Sequence, residues 1–196
     1  MVQVVMRFSL FLIVIFLTRI QSHAQQIECQ LKVSIAGHEL DTIAGNHFGD
    51  TLLHVERLQF YLHASHGGKS NEKNAILLGM SQPTKHLLAN TPFDLYLGVD
   101  SVLNYNGVHE GALDPINGMY WTWQSGYIHF KIEGCSPLCS SPKNKFAFHI
   151  GGFQYPFNTV QHVVLQENSA SDITVEIKLD DFFRSVKLDE ITNVMS

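Results

Sequence analysis

Hydrophobic and polar residues alternate along much of the chain, which is typical of β-strands because successive strand side chains point to opposite faces. The clearest run spans 173–179, where four aliphatic residues alternate with three polar ones. In the run 145–150, Phe146 and Phe148 share one face and His149 lies on the other. Other runs with this pattern lie at 30–35, 51–63, 75–79, 93–99, 126–132 and 159–165.

Turn-forming residues separate these runs, with Gly, Asn, Asp, Ser or Pro clustered at 66–71, 104–107, 114–118 and 167–172. Many short strands at this spacing predict an all-β fold, an antiparallel β-sandwich with long loops and at most short helices. Helical patches are expected only at 82–88 and 180–186.

The N-terminus has the pattern of a secretory signal peptide, predicted to span 1–24. Arg7 precedes an almost wholly apolar run, and Ser22-His23-Ala24 offers a small-x-small cleavage site. We therefore expect a secreted or periplasmic protein with residues 25–196 as a single domain. Cys29 lacks the preceding residues of a lipoprotein signal, so no membrane anchor is expected.

Charge argues against two classes of partner. The chain has 13 basic and 18 acidic residues, a formal net charge of −5. Removal of the signal peptide with Arg7 and Arg19 would make the balance more acidic still, and no basic run remains. Nucleic acid and anionic membranes are therefore not expected partners.

Three cysteines lie outside the signal peptide. Cys135 and Cys139 flank a short Pro- and Ser-rich loop, and export to an oxidising compartment permits a disulfide between them. Two free thiols are the alternative. Cys29 either has no disulfide partner or pairs with one of the other two.

The segment 111–130 holds the most unusual chemistry of the chain. It contains both tryptophans, Trp121 and Trp123, together with Met119, two tyrosines and His129. Oxidisable and soft metal-binding side chains in one run favour redox-metal chemistry over acid/base hydrolysis. The chain has no nucleophile elbow, zincin motif or phosphate-binding glycine loop, and we expect a protein that is not an enzyme.

Four histidines are candidate metal ligands. His149 lies on the face opposite the neighbouring phenylalanines and precedes two glycines, which permit close backbone approach. His129 shares strand parity with Trp121 and Trp123 if the strand is unbroken through Gly126. His63 and His54 have opposite parity, so they share a face only if the strand contains a bulge.

Asp100 and Asp114 are candidate calcium ligands, but the Asp-Pro pair at 114–115 is more simply a turn opener.

Several motifs resemble the MbnP-like family of methanobactin-associated periplasmic copper proteins. They are Leu-Gly-Val-Asp100 with Asn104, Leu-Asp-Pro115, Gly-Met-Tyr-Trp-Thr-Trp-Gln-Ser-Gly-Tyr127, Lys-Ile-Glu-Gly134 and Phe-His-Ile-Gly-Gly152. The early strand with Phe60-Tyr61-Leu62 is also similar. The resemblance runs from about Gln30 to Leu179.

The resemblance implies a secreted or periplasmic β-sandwich that binds copper. Some members of the family use histidines and a tryptophan oxidised to kynurenine, and a separate dihaem peroxidase-like partner performs that oxidation. By this resemblance Trp121 and Trp123 fall on the family's paired tryptophans, and His149 falls on its Phe-His-Ile-Gly segment. His129, His63 and His54 are the further candidate ligands.

Two other interpretations remain open. One is an extracellular binding module for a glycan, a peptide or a partner protein, in which an aromatic platform acts without a metal. Trp121, Trp123, Tyr120 and Tyr127 would form that platform. The other is a β-sandwich with a purely structural role.

Overall fold

The computed structural model describes residues 25–40, 45–48, 50–89, 93–122, 125–163 and 172–195. The predicted signal peptide lies outside these residues. The strands are β1 (Gln25–Ile35), β2 (His38–Glu39), β3 (Asn46–Phe48), β4 (Thr51–His66), β5 (Lys69–Gly79), β6 (Thr84–Ala89), β7 (Asp94–Leu97), β8 (Tyr120–Thr122), β9 (Gly126–Cys135), β10 (Lys145–Gly151), β11 (Gln161–Val163), β12 (Asp172–Lys178) and β13 (Asn193–Met195). The helices are α1 (Ser101–Tyr105) and α2 (Leu179–Ser185), and single 3-10 turns lie at Gly111–Leu113, Pro115–Asn117 and Pro142–Asn144.

The described strands form two packed sheets, which confirms the predicted all-β sandwich. In the smaller sheet, β1 pairs with β12 on one side and with β6 and β2 on the other. The larger sheet has the order β11-β7-β4-β9-β10-β13, and β3, β5 and β8 pair onto it. Most pairs are antiparallel, but β1–β12 and β10–β13 are parallel. The long connections between these strands allow the crossover that a parallel pair requires.

The main core lies between the two sheets. Alternate residues of β1 and β12 face alternate residues of β4, β9 and β10, and the fully buried rings include Phe60, Phe146 and Phe148. α2 closes one end of this core, where Phe183 meets Phe146 edge to face at 5.6 Å between ring centroids. The helix predicted at 180–186 is thereby confirmed.

The outer face of the larger sheet is covered by the segment 99–119, which makes a second, smaller core. Its buried members include Tyr61, Leu103, Met119 and Tyr127. The Tyr127 hydroxyl donates to the carbonyl of Leu113 at 2.9 Å and so ties the covering segment to β9. The alternating pattern predicts that polar residues on this face are exposed to solvent, but the covering segment buries them.

A bulge in β4 decides which residues reach that outer face. The register of β4 with β9 shifts between Val55 and Arg57. Odd-numbered residues face the main core before the bulge and even-numbered residues face it afterwards. His54 and His63 consequently share the outer face, although they have opposite parity in the sequence.

β4 and β9 separate at one point, and β7 begins there. β9 pairs with β4 as far as Phe60, and β7 pairs along the same edge of β4 from Leu62 onward. β5 occupies the opposite edge of β4 from Gln59 to His66, on both sides of this point. At the fork, the Gly98 amide donates to the Tyr61 carbonyl at 2.8 Å, so Gly98 takes the place that β9 would otherwise hold.

One local prediction is wrong, and one pair of alternatives is decided by the structure. Residues 82–88 contain β6 instead of a helix, because pairing with β1 provides a partner for an apolar segment that is ambiguous on its own. Cys29, Cys135 and Cys139 are free, so of the two alternatives for Cys135 and Cys139 the structure has free thiols and not the disulfide. Burial raises the pKa of the Cys29 thiol to about 11, which makes it unreactive.

Among the helices that the structure describes, none is long and apolar enough to cross a membrane.

Candidate metal centre

His63 and His129 approach each other at the fork between β4 and β9. His63 is 1 % exposed and its Nδ1 lies 2.9 Å from the Gly98 carbonyl oxygen. His129 is also 1 % exposed, and its ring lies against the Cα of the same glycine. The structure therefore brings together two of the four predicted histidine ligands.

In both rings the hydrogen bond is made by Nδ1, which leaves Nε2 as the nitrogen without a hydrogen. A carbonyl oxygen only accepts, so Nδ1 of His63 carries the hydrogen in its bond to Gly98. Nδ1 of His129 lies 2.9 Å from the Thr159 hydroxyl, whose own hydrogen is directed to the Gly152 carbonyl at 3.4 Å. In the neutral rings, Nε2 is then the lone-pair atom of both histidines.

Both Nε2 atoms are closed to solvent and have no hydrogen-bond partner among the described residues. A buried nitrogen lone pair without a partner is costly, roughly 1–3 kcal/mol for each group. Metal-binding histidines usually donate their other ring N–H to a carbonyl or a hydroxyl in the same manner. The donor set therefore fits an ion that prefers imidazole.

The pKa of His129 is lowered to about 4, first by burial and then by the neighbouring His63. The Val99 carbonyl opposes this change to a smaller degree. His129 is consequently neutral at physiological pH, which is the form that binds a metal.

Asp100 lies beside the histidine pair. Its Oδ2 is 3.6 Å from Nε2 of His63, too long for a hydrogen bond but close enough to attract a positive charge there. Burial alone would raise the pKa of Asp100, but His63, the Leu103 amide and the Ser70 hydroxyl together lower it to about 2. The group is an anion at all physiological pH values.

His149 lies apart from this pair. Its Nε2 is 2.7 Å from Oε1 of Glu133, and Arg57 approaches the other oxygen of the same carboxylate at 3.6 Å. Glu133 is four residues beyond His129 on β9, so the ring of His149 is directed away from the fork. The resemblance favoured His149 over His63, and the structure places His149 beside the Glu133 carboxylate instead.

His54 lies at the other end of β4, roughly 30 Å along the strand from His63 at about 3.3 Å per residue. Its ring packs over Gly45, where a Cβ would be 2.6 Å from Cε1. The bulge places His54 and His63 on one face but does not bring them to one site.

Of the paired tryptophans, Trp121 is described and Trp123 lies outside the described residues. Trp121 is partly buried on β8 and its ring packs against Gly151, where a Cβ would be 2.8 Å from Cζ3. It also lines a cleft of about 670 Å³ together with Phe153, Tyr155 and Phe157. The cleft is joined to the histidine pair through Gly152, whose carbonyl accepts from Thr159.

The aromatic platform predicted as an alternative does not form as expected. Tyr127 is fully buried, and its ring contacts Tyr61 and Tyr120 edge to face at 5.9 and 4.8 Å. Trp121 and Tyr120 are each partly buried. The three platform residues that the structure describes therefore do not present one exposed surface, and Trp123 lies outside the described residues.

The described residues do not form a complete metal site of the usual kind. Across the described ranges, no three His, Cys, Asp or Glu side chains are grouped closely enough to hold one ion together. The candidate centre is a histidine pair with one carboxylate beside it.

The family model of MbnP matches residues 24–196. The chain belongs to the MbnP family. This membership confirms the resemblance drawn from the tryptophan and glycine motifs. Among solved structures, MbnP from Methylosinus trichosporium matches with a TM-score of 0.50 and 16% sequence identity, over 89% of this chain and 81% of that one. At 16% identity this match shows a shared fold and nothing more. No curated protein matches the chain.

Of the residues that surround the histidine pair, Gly98 and Thr159 were not predicted from the sequence, and Asp100 was named only as a candidate calcium ligand. Gly98 and Asp100 lie in the loop that follows β7, and Thr159 lies in the segment before β11. Only the pairing of β7 with β4 places Gly98 between the rings. The Leu-Gly-Val-Asp100 motif contained a signal for two of them, since a glycine followed closely by a helix-capping aspartate marks a sharp change of direction.

Proposed function

We propose that this protein binds one copper ion outside the cytoplasm through Nε2 of His63 and Nε2 of His129. The observation that carries the proposal is that both atoms are buried, hold a lone pair in the neutral ring and have no partner among the described residues. Asp100 supplies negative charge beside His63 and favours a bound cation.

Copper is the ion that this donor set and the family favour together. Neutral imidazole suits copper, zinc, iron and nickel, whereas calcium and magnesium prefer oxygen ligands. Two nitrogens and a single carboxylate make a poor calcium site. Membership of the MbnP family, whose members include copper proteins by the resemblance described above, supports copper over zinc.

The protein acts in copper acquisition or buffering and not as an enzyme. The buried nitrogens of its candidate centre offer no open approach for an organic substrate. Export through a signal peptide at 1–24 would place the protein in the compartment where copper is first encountered.

Trp121 is the tryptophan whose oxidation to kynurenine we propose among the described residues. Opening of the indole ring yields an aryl amine, which is a better metal ligand than an indole nitrogen. Trp121 is partly buried at the wall of a cleft, so a dihaem peroxidase-like partner has access to its neighbourhood. The copper proposal rests on the two histidines and does not require this modification.

The decisive experiment measures metal content and Cu(I) affinity of protein purified from the cell envelope. His63→Ala and His129→Ala should each weaken Cu(I) binding by at least about a hundredfold in competition with a chromophoric chelator, since each removes a ligand. His149→Ala and His54→Ala are the matched controls and should bind as the wild type does.

Intact mass on the same sample tests the tryptophan. A gain matching conversion to kynurenine, mapped to Trp121 by peptide sequencing, would support that part of the proposal. Stoichiometric zinc in place of copper would refute the choice of metal. Full affinity in both His63→Ala and His129→Ala would refute the site.

A further inference from the structure

Three rings form a row that leads from the candidate centre to the edge of the larger sheet. Tyr96 on β7 is the cross-strand partner of His63 on β4 and of His162 on β11. Tyr96 stacks on His63 with centroids 5.1 Å apart and an interplanar angle of 16°. Its other neighbour, His162, lies at the same centroid distance with a tilt of 55°.

Exposure rises steadily along this row. The side chain of His63 is 1 % exposed, Tyr96 is partly buried, and the side chain of His162 is 50 % exposed. Nε2 of His162 lies 3.4 Å from Oδ1 of Asp94, which is 55 % exposed. The outer end of the row is therefore a solvent-accessible imidazole beside a carboxylate.

The centre itself has no open approach, because the Nε2 atoms of His63 and His129 are shielded from solvent. An ion reaches them only if a covering group moves. Two groups near His63 are candidates for that movement, Tyr96 on one side and Asp100 on the other.

The contacts of these two groups favour movement of Tyr96. Asp100 accepts from the Leu103 amide at 2.9 Å and from the Ser70 hydroxyl, and it caps the N-terminus of α1. The contacts of Tyr96 on this side are ring contacts, with His63 and with His162. Rotation of one partly buried side chain disturbs less structure than release of a helix cap.

We propose that copper enters through the sheet edge, where His162 and Asp94 bind it first and Tyr96 is the gate that admits it to His63. This inference rests on the proposed function of the His63–His129 pair. His162 and Asp94 form a weak, exchanging site, since one imidazole and one exposed carboxylate give few ligands and remain hydrated. Removal of the gate should change rates of entry and exit more than affinity.

The test is the rate of Cu(I) loading from a chromophoric complex, followed by stopped flow on the full mature chain. Tyr96→Ala should load and release copper about tenfold faster, which corresponds to an activation free energy lower by about 1.4 kcal/mol. Tyr96→Phe keeps the ring and should load at the wild-type rate. His162→Ala should load several-fold more slowly, and His86→Ala, a change at an exposed histidine of the other sheet, should have no effect.

A metal-free readout separates this inference from the proposed function. In apo protein, diethylpyrocarbonate should modify His63 markedly faster in Tyr96→Ala than in wild type or Tyr96→Phe, as located by peptide mass spectrometry. Copper binding with loading rates unchanged in Tyr96→Ala and His162→Ala would overturn the gate while leaving the centre intact. Loading that instead responds to Ser70→Ala, which frees one side of Asp100, would place entry on the opposite side and would also overturn it.

Discussion

The Cα of Gly98 lies against the ring of His129 so closely that a Cβ there would be 3.0 Å from both Cγ and Nδ1. Gly98 also has a φ of +104°, a backbone conformation that other residues rarely adopt. The same residue supplies the carbonyl that fixes the tautomer of His63. One glycine thus holds both rings of the candidate centre in place.

Gly98→Ala should therefore weaken copper binding as well as stability. Backbone strain costs about 1–3 kcal/mol, and the collision with His129 adds to it because that ring is enclosed. Cu(I) competition and urea unfolding measure the two effects. Gly37→Ala is the matched control, since Gly37 has a φ of +77° but no atom within 4 Å of the added Cβ. Equal losses in the two variants would show that the His129 contact has no effect.

Asp100→Asn should reduce copper affinity, by about tenfold, without a large loss of stability. Asparagine keeps the helix cap, so the change mainly removes a charge that lies 3.6 Å from His63. Asp114→Asn is the control, because Asp114 caps a 3-10 turn through the Ile116 amide and no histidine ion pair involves it. The measurement is Cu(I) affinity at low and high salt, where the effect of Asp100 should persist because the group is half-buried.

The stability of the apo protein should fall as pH is lowered from about 6.5 to about 4. In this window an unfolded His129 gains a proton that the folded, buried ring does not accept. A pKa lowered from 6.5 to about 4 therefore contributes stability above pH 6.5, roughly 3 kcal/mol at most, which is lost as pH falls towards 4. Urea unfolding across this range measures the slope. His129→Gln should flatten it, and an unchanged slope in that variant would contradict the assignment.

Tyr127→Phe and Tyr61→Phe should change the free energy of unfolding differently, although both rings are fully buried and in contact. The Tyr127 hydroxyl donates to Leu113 and accepts from the His109 amide, so its loss should cost about 1–3 kcal/mol. The Tyr61 hydroxyl has no partner among the described residues, so its removal should leave the free energy of unfolding unchanged or higher. Thermal unfolding of the pair compares the two directly, and a larger loss in Tyr61→Phe would contradict the contacts.

Much of the fold was accessible from the sequence because burial in strands leaves a local signal. The alternation at 173–179 became β12, and the phenylalanines at 146 and 148 became part of the main core. The family could be named from its glycine and tryptophan motifs. These features depend on residues that are near one another in the chain.

The candidate centre was only partly accessible, because it depends on pairings between distant segments. His63 and His129 could be named as candidates, but nothing local shows that β7 enters between their strands and places Gly98 beside both rings. His149 and His54 have equally suitable chemistry in sequence and differ only in position. The sequence indicated that His54 and His63 share a face only if the strand contains a bulge, but it did not show that the bulge is present at Glu56 in β4.

That bulge has a consequence for how related chains are compared. The alternation of core-facing and outward-facing side chains in β4 is reversed at the single bulged residue Glu56. Without that residue, His63 would face the main core instead of the point where β4 and β9 separate. In a homologue that lacks the bulged residue, the side chains before the bulge would match those of this chain. The side chains after it would face the opposite side of the sheet. A sequence alignment that places the gap a few positions away would align His63 with a core residue of the homologue. A comparison of aligned positions would then fail to identify His63 as a ligand.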